Sequence, residues 1–251
     1  MADTNVAAME CGDDSAEEAC VKQHQRHNRD TLRLFLLEDA EYSEENELPL
    51  VSAIKLDEPP VALIPFSVAM KDGCKDFDCF VHFYEDDFRF LRVWSDPRRY
   101  LPKFRKFAGV VMPDFSTCID FPKSLKMWSC YRNQALASWF QRQGLVVLPN
   151  ARHEPGCDFL LEALPRGSAL AICGRALTKS VLERRRFVRD VKTTVDVLRP
   201  TSIVYYGSDF YHVMDYPRSL GIPVWVYPGC NRGDLDGGRR ELEGGFDGLG
   251  R

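Results

Sequence analysis

From residue 61 onward the chain alternates two kinds of apolar pattern. Short unbroken runs rich in β-branched and aromatic residues read as buried strands. They cover 61–68 (interrupted by Pro65), 78–84 (DCFVHFY), 109–113 (GVVMP), 145–148 (LVVL), 168–173 (SALAIC), 202–206 (SIVYY) and 223–227 (PVWVY). Helical spacing fills the intervals. Asp96-Pro97 reads as an N-cap followed by proline at the first helical position, with Tyr100, Leu101, Phe104 and Phe107 on one face. Asp120 and Pro122 read the same way. They open a helix with an apolar stripe of Leu125, Trp128, Leu136, Trp139 and Phe140, ended by Gly144. Ser180 and Glu183 have the spacing of a capping box, after which Val181, Val188, Val191, Val195 and Leu198 recur until Pro200. Short helical turns are expected over 156–163 and 209–216.

Strand and helix in alternation, with fully apolar strands, imply right-handed crossovers and a parallel sheet covered on both faces. The fold class is therefore α/β, and a (β/α) barrel-like arrangement, incomplete or irregular, is the first choice. An open doubly wound parallel sheet is the alternative. Neither a G-x-G-x-x-G turn after the first strand nor a G-x-x-x-x-G-K-[ST] loop is present to favour that open sheet. Residues 61–228 read as one α/β domain. Residues 1–60 read as an acidic, largely flexible region, in which Leu32–Leu37 docks as a strand or helical turn and an eighth strand has room. Residues 229–251, with eight glycines among 23 residues, read as a flexible tail.

Composition narrows the setting. The 251 residues are 45% hydrophobic and 28% charged with a net charge of -4, which argues against a membrane protein and against a fully disordered chain. No apolar run approaches bilayer length, and the first 20 residues carry six acids and no Lys or Arg, unlike a secretory leader. Nine scattered cysteines then read as reduced thiols of a cytoplasmic protein. Cys74 and Cys79 lack a second close Cys/His pair, so no structural metal is expected. Cys118, Cys157 and Cys173 read as small buried hydrophobes.

Charge is unevenly laid out. Residues 1–60 hold 15 acids against five Lys/Arg, whereas 61–228 hold 24 Lys/Arg against 17 acids. Two basic helices contribute, one with Arg98, Arg99, Lys103, Arg105 and Lys106, the other with Arg184, Arg185, Arg186, Arg189 and Lys192. Solvated outer faces account for most such helices. A local excess of +7 also suits an anionic partner such as a nucleotide or nucleic acid. Trp94, Trp128 and Trp139 lie on apolar stripes and read as core.

Four blocks then carry a resemblance: 86–94 (DDFRFLRVW) with Pro97, Tyr100 and Leu101; 110–116 (VVMPDFS); Trp128 and 131–133 (YRN) with 144–149 (GLVVLP); and 205–207 (YYG). In this order they resemble the bacterial and phage family known as domain of unknown function 4417. The resemblance covers roughly residues 61–228. It implies a bacterial or mobile-element setting and an intracellular protein, and brings no reaction with it.

In either architecture ligands bind beyond the carboxyl ends of the strands. That rule selects Glu85, Asp86 and Asp87; Asp114 and Ser116; Asn150, Arg152 and His153; Arg175; and Ser208 with Asp209. Asp114 together with Asp86 or Asp87 suits a hard cation such as Mg²⁺, or an acid and base pair. The plainer reading of Asp86 and Asp87 is helix capping, and that of Asp114 is a turn fixed by bonds to nearby backbone amides. His153 is the best general acid/base candidate, against an idle loop histidine. Arg152 and Arg175 suit phosphate. Arg132 and Asn133 interrupt a helix stripe, where Arg132 either snorkels to solvent or pairs with a buried acid such as Asp114. His82 alternates with Phe80 and Tyr84 and reads as a core histidine. The leading expectation is an enzyme acting on a nucleotide or nucleic acid through strand-end carboxylates. Its rivals are a non-catalytic nucleic-acid- or protein-binding accessory module of a phage or plasmid, and a small-molecule enzyme unrelated to nucleic acid.

Overall fold

The computed structural model describes residues 32–175, 177, 180–209, 211–229 and 238–239. Every apolar run of the sequence supplies one parallel strand: β1 (Ala62–Pro65), β2 (Phe80–His82), β3 (Gly109–Val111), β4 (Val147–Leu148), β5 (Ala169–Cys173), β6 (Ser202–Tyr206) and β7 (Val224–Tyr227). They pair in parallel as β4-β3-β2-β1 and as β5-β6-β7. A two-residue strand, β8 (Gly238–Arg239), pairs antiparallel with β1. The molecule is thus mixed α/β with parallel sheets. A parallel bridge between Asn150 and Ala171 lies between the two sets of strands. There Ala151 N donates to the Ala171 carbonyl at 2.9 Å and Ala171 N donates to the Pro149 carbonyl at 2.7 Å.

Helices fill the crossovers: α1 (Phe66–Ala69), α2 (Asp87–Ser95), α3 (Pro97–Phe104), α4 (Lys123–Arg142), α5 (Phe159–Glu162), α6 (Val181–Leu198) and α7 (Asp215–Ser219). Two starts follow the sequence signals. The Asp96 side chain accepts from Arg99 N at the head of α3, with Pro97 next in line. Ser180 and Glu183 form a reciprocal capping box on α6. The start of α4 differs: Pro122 occupies the cap position and no side chain caps it. Asp120 lies two residues before that position, outside the reach of a capping oxygen.

The stripes are shifted in places. Leu136, Trp139 and Phe140 of α4 are buried, whereas Leu125 and Trp128 lie at its exposed end. In α6 the buried positions are Phe187, Val191, Thr194, Val195 and Leu198, leaving Val181 and Val188 exposed. The larger Phe187 takes the inward place one residue before Val188, which still satisfies helical spacing.

Strand residues alternate between two environments, as a period of two requires. Leu63, Phe80, Val111, Leu148, Ala171, Val204 and Tyr227 share one cluster, so all seven parallel strands meet in it. The opposite faces of the strands pack on helices. Ile64, Val81, Val110 and Val147 join Phe90, Leu101, Phe104 and Phe140, and Ile172, Ile203 and Tyr205 join Phe187, Val191 and Val195. The basic helix α3 thus packs in the first cluster and most of α6 in the other, with Leu198 at the end of α6 joining the first.

Packing begins before residue 61. Leu34–Leu37 is a 3₁₀ turn with Leu36 buried. Val51 N donates to the Ala163 carbonyl, and Ile54 N to Ser168 Oγ. The flexible ends expected from composition fall largely on residues outside the described set. Cys157 and Cys173 are buried as expected, while Cys118 is exposed on the loop after β3. No described helix is long and apolar enough to cross a membrane.

Candidate functional site

The strand ends converge on one hydrogen-bonded network. Strand β2 continues into Phe83 and Tyr84, and the Tyr84 hydroxyl donates to Asn150 Oδ1 at 2.9 Å. Asn150 follows β4, and its Nδ2 donates to Asp114 Oδ1 at 3.1 Å. Asp114 follows β3. Its second oxygen accepts from Arg152 Nη2 at 2.9 Å. Arg175, after β5, donates to the Tyr84 carbonyl. Four residues chosen at strand ends from the sequence (Asp114, Asn150, Arg152 and Arg175) thus lie in one network. Tyr84 joins them and was not chosen.

The network's charges are set by burial and by one another. Burial, reinforced by Cys173 and Asp114, holds the Tyr84 hydroxyl far above the usual phenol range, so it remains a donor. Asp114 favours the charged form of Arg152. Burial, then Asp114, pushes the Cys173 thiol up to about 12, which removes it as a nucleophile near neutrality. His82 is 1% exposed and rests against the rings of Tyr84 and Tyr206, at 5.2 and 4.6 Å. Its Nδ1 accepts from Tyr84 N at 3.1 Å. Burial and then the Arg175 charge lower its pKa to about 3. It is a neutral core histidine, as its alternation in the strand suggests.

Beside the network a cleft of about 360 Å³ opens between the loops after β3, β4 and β5 and the helix α6. Arg152, Arg175 and Arg186 line it, together with His153, Asp190 and Cys118. The His153 side chain is only 7% exposed, with Nδ1 at 3.4 Å from Asp190 Oδ1 and Nε2 at 3.7 Å from Asp158. Glu154, also on the cleft, is paired with Lys126 at 2.6 Å. Arg186 is exposed on the first half of α6. A histidine oriented by a carboxylate, next to several guanidinium groups, can move a proton beside a bound anion.

Other residues chosen from the sequence take local roles. Asp86 occupies the N-cap position of α2, although its side chain makes no cap bond. Asp87 accepts from Ser116 N at 3.2 Å and from Ser116 Oγ at 2.8 Å, which fixes the turn after Asp114. The Asn133 amide brackets Phe115, accepting from its N at 2.8 Å and donating to its carbonyl at 3.4 Å. Arg132 does not take Asp114, which Arg152 holds. Its guanidinium lies over the Phe115 ring at 3.9 Å and donates to Ser129 Oγ. Burial lowers its pKa, and the Asp87 charge opposes that. Asp209 pairs with Arg218 of α7. Among the described residues no three His, Cys, Asp or Glu side chains gather to hold a metal ion.

Two signals were available for the residues not chosen. Tyr84 continues the alternation of Phe80 and His82 past the end of the strand. Asp190 falls between Phe187 and Val191 on the buried face of α6, where an acid is out of keeping with its neighbours. Arg186 had no signal beyond membership of a basic helix.

A family model described as Domain of unknown function (DUF4417) matches residues 40–222. The chain is similar to the Gene 1 protein of Mycobacterium phage D29, with 32% identity over 151 residues, 59% of this chain and 54% of that protein. It is also similar to the Gene 1 protein of Mycobacterium phage L5, with 29% identity over 146 residues, 55% of this chain and 64% of that protein. The chain thus spans between about half and two thirds of the length of the curated relatives it matches. No solved structure matches it.

Proposed function

The chain belongs to the DUF4417 family, and from that premise we propose that it is a phage-type, intracellular enzyme acting on a phosphate-bearing nucleotide or nucleic-acid end. The carrying observation is the cleft of about 360 Å³ lined by Arg152, Arg175, Arg186 and the His153–Asp190 pair. That volume suits a small ligand. Arg175 and Arg186 hold the phosphate. His153, oriented by Asp190, is the acid/base. Asp114 is a positioning residue: with Arg152 and Asn150 it fixes the wall between cleft and strands. His153, already the best acid/base candidate by sequence, thus takes that role without the strand-end carboxylates.

The seven parallel strands fit a barrel-like arrangement in this reading. Support comes from their sequential order, from the Asn150–Ala171 bridge between β4 and β5, and from the apolar cluster to which each of them contributes. The cleft then lies at the carboxyl-end mouth, where such folds bind ligands.

Calorimetric titration with nucleoside mono- and diphosphates tests the proposal. One of them is expected to bind, and Arg186→Ala to weaken it by roughly tenfold or more, the scale of a charge-assisted hydrogen bond. His153→Asn should abolish conversion of the bound nucleotide, followed by chromatography, and leave its binding within about threefold. Absence of binding by every nucleotide and by inorganic phosphate would sink the reading.

A further inference from the structure

Behind the network lies a second, smaller site. It is a pit of about 20 Å³ lined by residues from four parts of the fold, with Leu160 of α5 on its apolar side. Asp114 and Thr117 come from the loop after β3, Gln134 from α4, and Asn150 and Arg152 from the loop after β4. Thr117 and Arg152 also border the large cleft, so the pit adjoins it. Gln134 is 1% exposed and Thr117 6%. Neither Gln134 Nε2, Gln134 Oε1 nor Thr117 Oγ1 forms a hydrogen bond within the protein. A buried amide and a buried hydroxyl facing one small space, all unpaired, is an arrangement that folded proteins avoid unless a polar ligand completes it.

We propose that this pit is a binding site for one ordered water molecule, which joins α4 to the Asp114–Arg152–Asn150 network. The chemistry of the lining selects water. Gln134 offers both a donor and an acceptor, so the ligand must accept as well as donate. A metal cation cannot satisfy the amide Nε2, and the neighbouring Arg152 guanidinium repels it. An anion would lie against the Asp114 carboxylate. The volume matches a single water, which needs roughly 10–15 Å³ of such space. Gln134 and Thr117 are then positioning residues. They hold, through the water, the loop that carries Asp114.

The substitution Gln134→Leu gives outcomes of opposite sign in the full-length chain. It replaces the amide by an apolar group of similar size. If a water is bound, the change removes its partners, strands Thr117 Oγ1, and lowers the melting temperature by roughly 3 °C or more. If the pit is dry, the change removes two unpaired polar atoms, and the melting temperature stays level or rises, which would overturn the proposal. Thr117→Val provides a milder second variant. With a bridging water, the double substitution costs less than the sum of the single ones; strict additivity counts against a shared ligand. Magnetisation transfer from water to the Gln134 side-chain amide is expected in the wild-type protein at neutral pH, and its absence would likewise overturn the assignment.

Discussion

His82 shows how a single residue carries a pH dependence without touching the cleft. Its ordinary pKa is 6.5 and its folded value is about 3, because burial and the nearby Arg175 charge disfavour the imidazolium. The unfolded chain therefore binds a proton below pH 6.5 that the folded chain refuses until pH 3. Stability from this group is complete above 6.5 and is lost as pH falls toward 3. The slope is up to about 1.4 kcal/mol per pH unit for one proton. Chemical denaturation between pH 6.5 and 4.5 is expected to give a steeper loss for wild type than for His82→Gln. Equal slopes would mean that His82 is not held neutral by the fold. The same surroundings explain Tyr84, whose hydroxyl stays a donor to Asn150 because burial and Asp114 oppose its ionisation.

At the scale of an element, α6 does two jobs. Its buried face closes one side of the strands through Phe187, Val191 and Val195. The same helix gives the cleft Arg186 and Asp190. Its first turn is tied by the reciprocal bonds of Ser180 and Glu183, with Glu183 N to Ser180 Oγ at 3.1 Å and Ser180 N to Glu183 at 2.7 Å. Ser180→Ala is expected to cost about 1 kcal/mol, the usual worth of such a cap. The urea midpoint should fall while the slope of the transition is unchanged. A midpoint equal to wild type would show that tertiary packing alone holds this end of α6. The helix α4 illustrates the opposite case. No side chain caps it, and its stability comes from burial of Leu136, Trp139 and Phe140.

For the whole molecule the question is how far the basic excess of residues 61–228 acts as one surface. The two basic helices pack largely on different clusters, sharing one only through Leu198, and several of their cations are already engaged. Arg98 lies over Phe35 at 4.0 Å, Lys103 donates to the Lys71 carbonyl, and Lys192 pairs with Asp196. This favours a confined phosphate site over a long nucleic-acid track. Binding of a short single strand to the full chain should then weaken with salt by a log–log slope of about −2, the value for some three phosphates. A slope several times steeper would instead favour an extended nucleic-acid-binding module.

How much of this was legible beforehand depended on range. Strand positions, the α3 and α6 caps and the set Asp114, Asn150, Arg152 and Arg175 could be read from the sequence, because period, cap chemistry and position after an apolar run are all local properties. The sequence also determined the mixed α/β class with parallel sheets, since fully apolar strands separated by helices permit little else. Tertiary structure alone decided which side chains meet. It assigned Arg152 and not Arg132 to Asp114, gave Asp87 to Ser116, and set Asp190, 37 residues away, against His153. Such pairings depend on the twist and stagger of strands far apart in the chain, and no local pattern encodes them. The unpaired Gln134 and Thr117 belong to the same class: they read as ordinary polar residues until the fold closes around them.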